Sequence, residues 1–257
     1  MRLPITLVFL ALIFVASVAS AAQWRTVEKF SFDWRGDKIP YHFVLRAPVD
    51  YDAGGDYTQL QIMLKGKVVL EVNDNDGLAK LADALTLDSQ KLKKKNILKS
   101  KHILMITSLK GRSKHPLLLL FGWAYGSSPG SLHIIALGDD ETPKQILNLE
   151  NFEIRSFADI DKDKIPELIG YPCFTQSWGP EYSFLTYDPF HVYRFGATAI
   201  SEMTMDLQLT ESYNRKNYYG WAGPECSEDT AVVLHPPGGG KPVVMDVEKA
   251  KAVFEKH

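Results

Sequence analysis

The chain has 257 residues, with 29 Lys and Arg against 31 Asp and Glu, a net charge of −2 and 11% aromatic residues. A balance this close to neutral excludes nucleic-acid binding by bulk charge, and with no Cys-x-x-Cys the sequence gives no sign of thiol redox chemistry. Abundant aromatic and β-branched residues point to a mainly β protein.

Met1-Arg2, the apolar run Leu3–Val18 and the small residues Ala19 to Ala22 read as a secretory signal with its cleavage zone. The run is shorter than the ~20 residues a membrane span needs, so residues 1–22 are expected to be removed. Residues 23–257 then form a single β-rich domain, secreted or periplasmic, with no membrane span of its own.

Val27, Phe30, Phe32 and Trp34 lead into the turn Arg35-Gly36-Asp37, and Tyr41–Leu45 returns as a strand. The Arg-Gly-Asp tripeptide is read as the turn between two strands, not as an adhesive motif. Two further strands flank Lys65-Gly66. Asn73-Asp74-Asn75-Asp76-Gly77 reads either as a polar turn or as the cap of a helix running from Gly77 to about Leu85. The lysines between Lys91 and Lys101 read as a solvated face.

From Ile103 a layout recurs at an offset of about 50 residues. Strand, polar turn, apolar strand, small-residue loop and apolar strand run from Ile103 to Leu137, and again from Glu153 to Tyr187. Val192–Leu209 alternates like a strand, Tyr213–Trp221 reads as an aromatic-rich loop, Ala231–Leu234 as a short strand, and a helix capped by Asp246 closes the chain. The expected architecture is blade-like antiparallel units, propeller-like or a partial propeller, with a β-sandwich as second choice and a small helical insertion.

One stretch carries distinctive chemistry. Asp159, Asp161, Asp163 and Glu167 fall at alternate positions, interrupted by Ile165, which has only its carbonyl to offer. Hard cations such as calcium take about six to eight oxygens from carboxylates and backbone carbonyls. Without a cation these carboxylates would repel one another. Asp-x-Asp-x-Asp-x-x-x-Glu, preceded by Phe157-Ala158 and followed by Leu168-Ile169, resembles the calcium loop of FG-GAP/VCBS-type repeats, the blades of integrin-alpha-like β-propellers. The resemblance implies side-chain oxygens from Asp159, Asp161, Asp163 and Glu167, and the carbonyl of Ile165. Lys164 stands where that family usually has Gly, a position that requires a sharp turn. A helix-loop-helix calcium site is excluded, because its twelfth position is Gly170.

Cys173 and Cys226 are expected to form one disulfide, closing a loop of about 53 residues and contributing roughly 4 kcal/mol by chain entropy. Trp178 and Trp221, in Gly/Pro/Asn-rich surroundings, are the candidate ligand contacts.

Enzyme motifs fare poorly. In Gly126-Ser127-Ser128-Pro129-Gly130 the residue after the candidate nucleophile is Pro, which has no N–H for an oxyanion hole. Gly238-Gly239-Gly240-Lys241 is followed by Pro242 where a phosphate loop needs Ser or Thr. The expected function is an exported non-enzymatic module with a structural calcium ion, binding a protein or glycan in the cell envelope or outside the cell. The alternative is a secreted hydrolase of carbohydrate or ester bonds.

Overall fold

The computed structural model describes residues 23–80, 100–107, 115–124, 130–138, 142–172, 177–178, 184–186, 190–198, 201–218, 232–234, 243–246, 248–249 and 252. The first 22 residues, Cys173, Cys226, Trp221, the Lys91–Lys99 stretch and both glycine motifs discounted above, except Gly130, lie outside them.

The protein is mainly β, built from four antiparallel four-stranded sheets. The first sheet is the meander β1 (Trp24–Phe32), β2 (Tyr41–Pro48), β3 (Tyr57–Leu64) and β4 (Lys67–Leu78). The second is the meander β5 (Leu104–Ile106), β6 (Leu117–Phe121), β7 (Leu132–Ala136) and β8 (Lys144–Leu149). Two further sheets interleave along the chain. β9 (Glu153–Ala158) and β10 (Glu167–Tyr171) pair with β13 (His191–Arg194) and β14 (Thr204–Met205). β11 (Ser177–Trp178) and β12 (Phe184–Thr186) pair with β15 (Val232–Leu234) and β16 (Val243–Met245).

Alternation along β5–β7 explains how the sheets stack. Leu104, Ile106, Leu117, Leu119, Leu132 and Ile134 pack with Phe152, Ile154 and Leu168 of the third sheet's segment. Ile103, Met105, Leu118, Leu120 and Ile135 pack with Tyr41, Phe43, Leu60 and Ile62 of the first. The second sheet is therefore covered on both faces, which is why β6 reads as an unbroken apolar run and β7 as one interrupted only by His133.

The expected turns form. Asp33 accepts the N–H groups of Gly36 (2.8 Å) and Lys38 (2.9 Å). Arg35 and Asp37 pair with each other across the turn at 3.0 Å. Lys65 and Gly66 both take positive φ, as a two-residue hairpin turn requires.

Three expectations are corrected. Gly77 does not begin a helix: β4 continues through Leu78, and residues 81–85 lie outside the described set. The polar turn does exist, as a bulge inside β4. Gln59 pairs with Asn73 and Tyr57 with Leu78, so residues 74–77 loop out of the ladder. The third strand of the second copy does not return beside β10. Phe184–Thr186 joins β11 and β15, and β10's other neighbour is β13.

The third correction is α1, an α-helix over Leu207–Tyr218 where alternation and then a loop were expected. Asp206 caps it, accepting the Leu209 N–H at 2.9 Å. Its buried face is polar. Thr210 Oγ1 accepts the Val192 N–H at 3.0 Å, and Asn214 bridges the Phe190 N–H (2.8 Å) and carbonyl (2.7 Å). At the end of the chain, Asp246 accepts the Lys249 N–H at 2.8 Å and Glu248, Lys249 and Ala252 are helical, as the cap led one to expect.

Gly170 marks the tightest point of the third sheet. A methyl there would stand 2.2 Å from the Glu153 carbonyl oxygen and 2.6 Å from the Phe152 ring. The ladder between β9 and β10 shifts register at this residue. Gly170→Ala is expected to cost about 2–3 kcal/mol by overpacking, seen as a lower urea midpoint; an unchanged midpoint would show that the backbone yields freely.

Candidate metal centre

The β9–β10 hairpin positions the acidic loop. Glu167 is the first residue of β10, and its side chain points inward, so it is 1% exposed while most of the loop stands in solvent. Carboxylate oxygens of Asp159, Asp161 and Glu167 all lie within 4.8 Å of one another. Asp163 is not part of this group. Its Oδ1 accepts the Ile165 N–H at 2.7 Å, and Ile165 itself is 41% exposed.

Backbone amides hold the carboxylates in place. Lys164 N–H donates to Asp159 at 3.1 Å, Asp163 N–H to Asp161 at 3.0 Å, and Ile160 N–H to Glu167 at 2.9 Å. The turn needs two left-handed residues, and Lys162 (φ +69°) and Lys164 (φ +77°) supply them. Lys164 thus takes the conformation for which glycine is the easy residue.

Sequence reasoning missed the cation on this site. Arg194, at the end of β13, donates through Nη2 to Asp161, lies 3.4 Å from Asp163, and places Nη1 3.3 Å from Asp206. Its Nε is 3.9 Å from Glu167. The residue comes from a strand about 30 positions away, and no local spacing could have announced it. Burial pushes the Glu167 carboxyl above its ordinary 4.5, and Asp161 and Asp163 push it the same way. The Ile160 N–H and Arg194 oppose them. Arg194 meets Asp161, Asp163, Glu167 and Asp206 but not Asp159, and even with Lys162 and Lys164 in the loop the carboxylates outnumber the cations. The donor set is all hard oxygen, so it fits calcium.

A second polar cluster joins the first two sheets. Asp74, in the bulge of β4, accepts hydrogen bonds from Ser131 Oγ and from His133 Nε2 (2.9 Å) through one oxygen. The N–H groups of Asp76 (3.0 Å) and Gly77 (3.2 Å) donate to the other. His133 Nδ1 meets the Gln145 amide at 3.1 Å. Ser, His and Asp are together, but not as a catalytic triad. Both ring nitrogens are engaged elsewhere, and Ser131 donates to the carboxylate itself, so the imidazole is not placed to take its proton.

Of the remaining candidate residues, Trp178 lies in β11, while Trp221, Cys173 and Cys226 lie outside the described residues. Among the described residues no helix is long and apolar enough to cross a membrane. No protein-family model matches the chain, and no curated protein and no solved structure matches it.

Proposed function

We propose that the chain is an exported, non-enzymatic binding module whose Asp159 loop carries a calcium ion in a structural role. The observation that supports this most directly is the convergence of Asp159, Asp161 and Glu167 within 4.8 Å. The left-handed Lys164 supports it too, because this is the backbone shape asked of the corresponding Gly in the FG-GAP/VCBS-type loop that the sequence resembles. In the same reading residues 1–22 direct export, Cys173 and Cys226 pair, and the partner is a protein or glycan in the cell envelope or beyond it.

A thermal melt with calcium and with chelator tests the metal. Extracellular sites of this kind bind at about 10⁻⁴–10⁻³ M. At a hundredfold excess over Kd the ion stabilises by about 2.7 kcal/mol, or roughly 5–10 °C in a domain of this size. Asp161→Asn combined with Glu167→Gln is expected to abolish the shift. An unchanged wild-type midpoint, with no ion in the purified protein, would remove the metal from the account.

A further inference from the structure

Beside the bridge between Leu78 and Gly122 that joins the first two sheets, a cleft of about 980 Å³ opens. One wall is the bulge of β4 with the Ala53-Gly54 loop. The other is Ser131 and His133 of the β7 segment with Asn148 of β8 and the residues just after it, and Trp123 stands at the rim. The volume is at the upper end of what encloses a small organic ligand.

Four of the lining side chains are exposed and make no hydrogen bond or ion pair to other described residues: Asn75 and Asp76 from the bulge, Asn148 and Glu150 from the opposite wall. Asn148 lies directly across the ladder from His133. Amides present donor and acceptor together, and carboxylates present paired acceptors. Among the described residues no Lys or Arg lines the cleft, so none of them supplies a cation for a phosphate or sulfate. The described lining has one aromatic face, whereas a cage for a quaternary ammonium uses several.

That face is pre-set. Gly54 lies against the indole: a methyl on it would be 2.8 Å from Nε1, 3.1 Å from Cδ1 and 3.2 Å from Cε2, over the ring and not beyond its edge. The Trp123 backbone N–H is tied to the Gly77 carbonyl at 3.0 Å, and Asp74 locks the bulge to β7 underneath. Trp123 remains 36% exposed. A flat apolar surface beside unpartnered amides and carboxylates matches a pyranose, which has an apolar C–H face and a rim of hydroxyls. Binding would order those four side chains, while the backbone around the indole is already held.

We infer that this cleft is a binding site for a neutral oligosaccharide, with Trp123 as the stacking platform and Asn75, Asp76, Asn148 and Glu150 as the hydroxyl-reading groups. The inference rests on the reading of the chain as a binding module, and it places the ligand away from both Trp178 and the acidic loop.

The test is a printed array of neutral oligosaccharides probed with the wild type, Trp123→Ala and Asn148→Ala, followed by calorimetric titration of the sugars that bind. Wild-type binding that weakens roughly tenfold or more in both variants, about 1.4 kcal/mol, with unchanged melting midpoints, is the expected result. Asn148 is exposed and unpartnered among the described residues, so that variant stays informative if Trp123→Ala melts early. No wild-type binding at any spot, or binding indifferent to both substitutions, overturns the inference. A calcium shift retained in the same samples would show that the metal reading survives that failure. Shortening of a bound sugar would leave the cleft assignment standing and overturn the non-enzymatic reading instead.

Discussion

Asp74→Ala is expected to destabilise the protein by about 3–4 kcal/mol, more than any other single change away from the apolar core. The carboxylate receives four hydrogen bonds, two of them from buried or half-buried side chains across a sheet boundary. Removing it leaves Ser131 and a His133 that is 3% exposed without their acceptor. Each orphaned buried group costs about 1–3 kcal/mol. Asp74→Asn keeps the shape and one acceptor, so its loss should be smaller. pH gives a second readout. Burial pushes the Asp74 carboxyl upward, but the hydrogen bonds from His133 and Ser131 outweigh it and hold the group below its ordinary 3.8. A depressed acid stabilises the fold fully above its unfolded value, and that stabilisation is lost as the pH falls through the folded value. The wild type should therefore lose stability below about pH 3.8 more steeply than Asp74→Asn. Urea midpoints between pH 2.5 and 6 measure this; parallel curves would mean that the carboxylate is solvated and not gripped.

The second large effect falls on stability without metal and on metal affinity with it. In chelator, Arg194→Met is expected to lower stability by about 1–2 kcal/mol. Arg194 is 39% exposed, so its pairs with the partly exposed Asp161, Asp163 and Asp206 are each worth only tenths of a kcal/mol. Most of the loss comes from Glu167, whose side chain is 2% exposed. In calcium the same change removes a positive charge beside a divalent ion. At about 5 Å even the dielectric of water makes that repulsion about 1.7 kcal/mol, so calcium should bind Arg194→Met at least roughly tenfold more tightly. The pH dependence follows from Glu167. Its folded value lies above 4.5, so without metal its ionisation destabilises the fold as the pH rises through the window from 4.5 to that higher value. A bound cation requires the ionised form, so the calcium-induced stabilisation should grow across that same window. Titration by calorimetry at pH 5 and 7 checks both points. Equal affinity in wild type and variant would mean that ion and guanidinium share no carboxylate.

The sequence disclosed the parts of this protein in which a local pattern has a local cause. The β9–β10 hairpin was legible because alternating Asp residues lie between two strands, and three of the four carboxylates, Asp159, Asp161 and Glu167, do meet in space, while Asp163 turns to the Ile165 N–H. β6 was legible as a continuous apolar run, and β7 as an apolar strand interrupted only by His133. The helix α1 was not, because its docking face uses Thr210 and Asn214 to satisfy backbone groups of Phe190 and Val192, and so has no apolar stripe to reveal a period of 3.6. Arg194 and the cleft stayed hidden for another reason. Both depend on which sheet lies beside which, and the excursion of the chain through β11 and β12 before β13 returns to β10 breaks the even spacing that the two-copy layout assumed.

The doubly covered second sheet has a consequence for how this protein can change over time. Along β6, and along β7 apart from His133, a residue outside one hydrophobic cluster belongs to the other, so these strands have no permissive side on which polar substitutions could accumulate unnoticed. Variation should instead collect on the outward positions of β1, β4 and β9, leaving the central strands as the slowest-drifting segment of the chain.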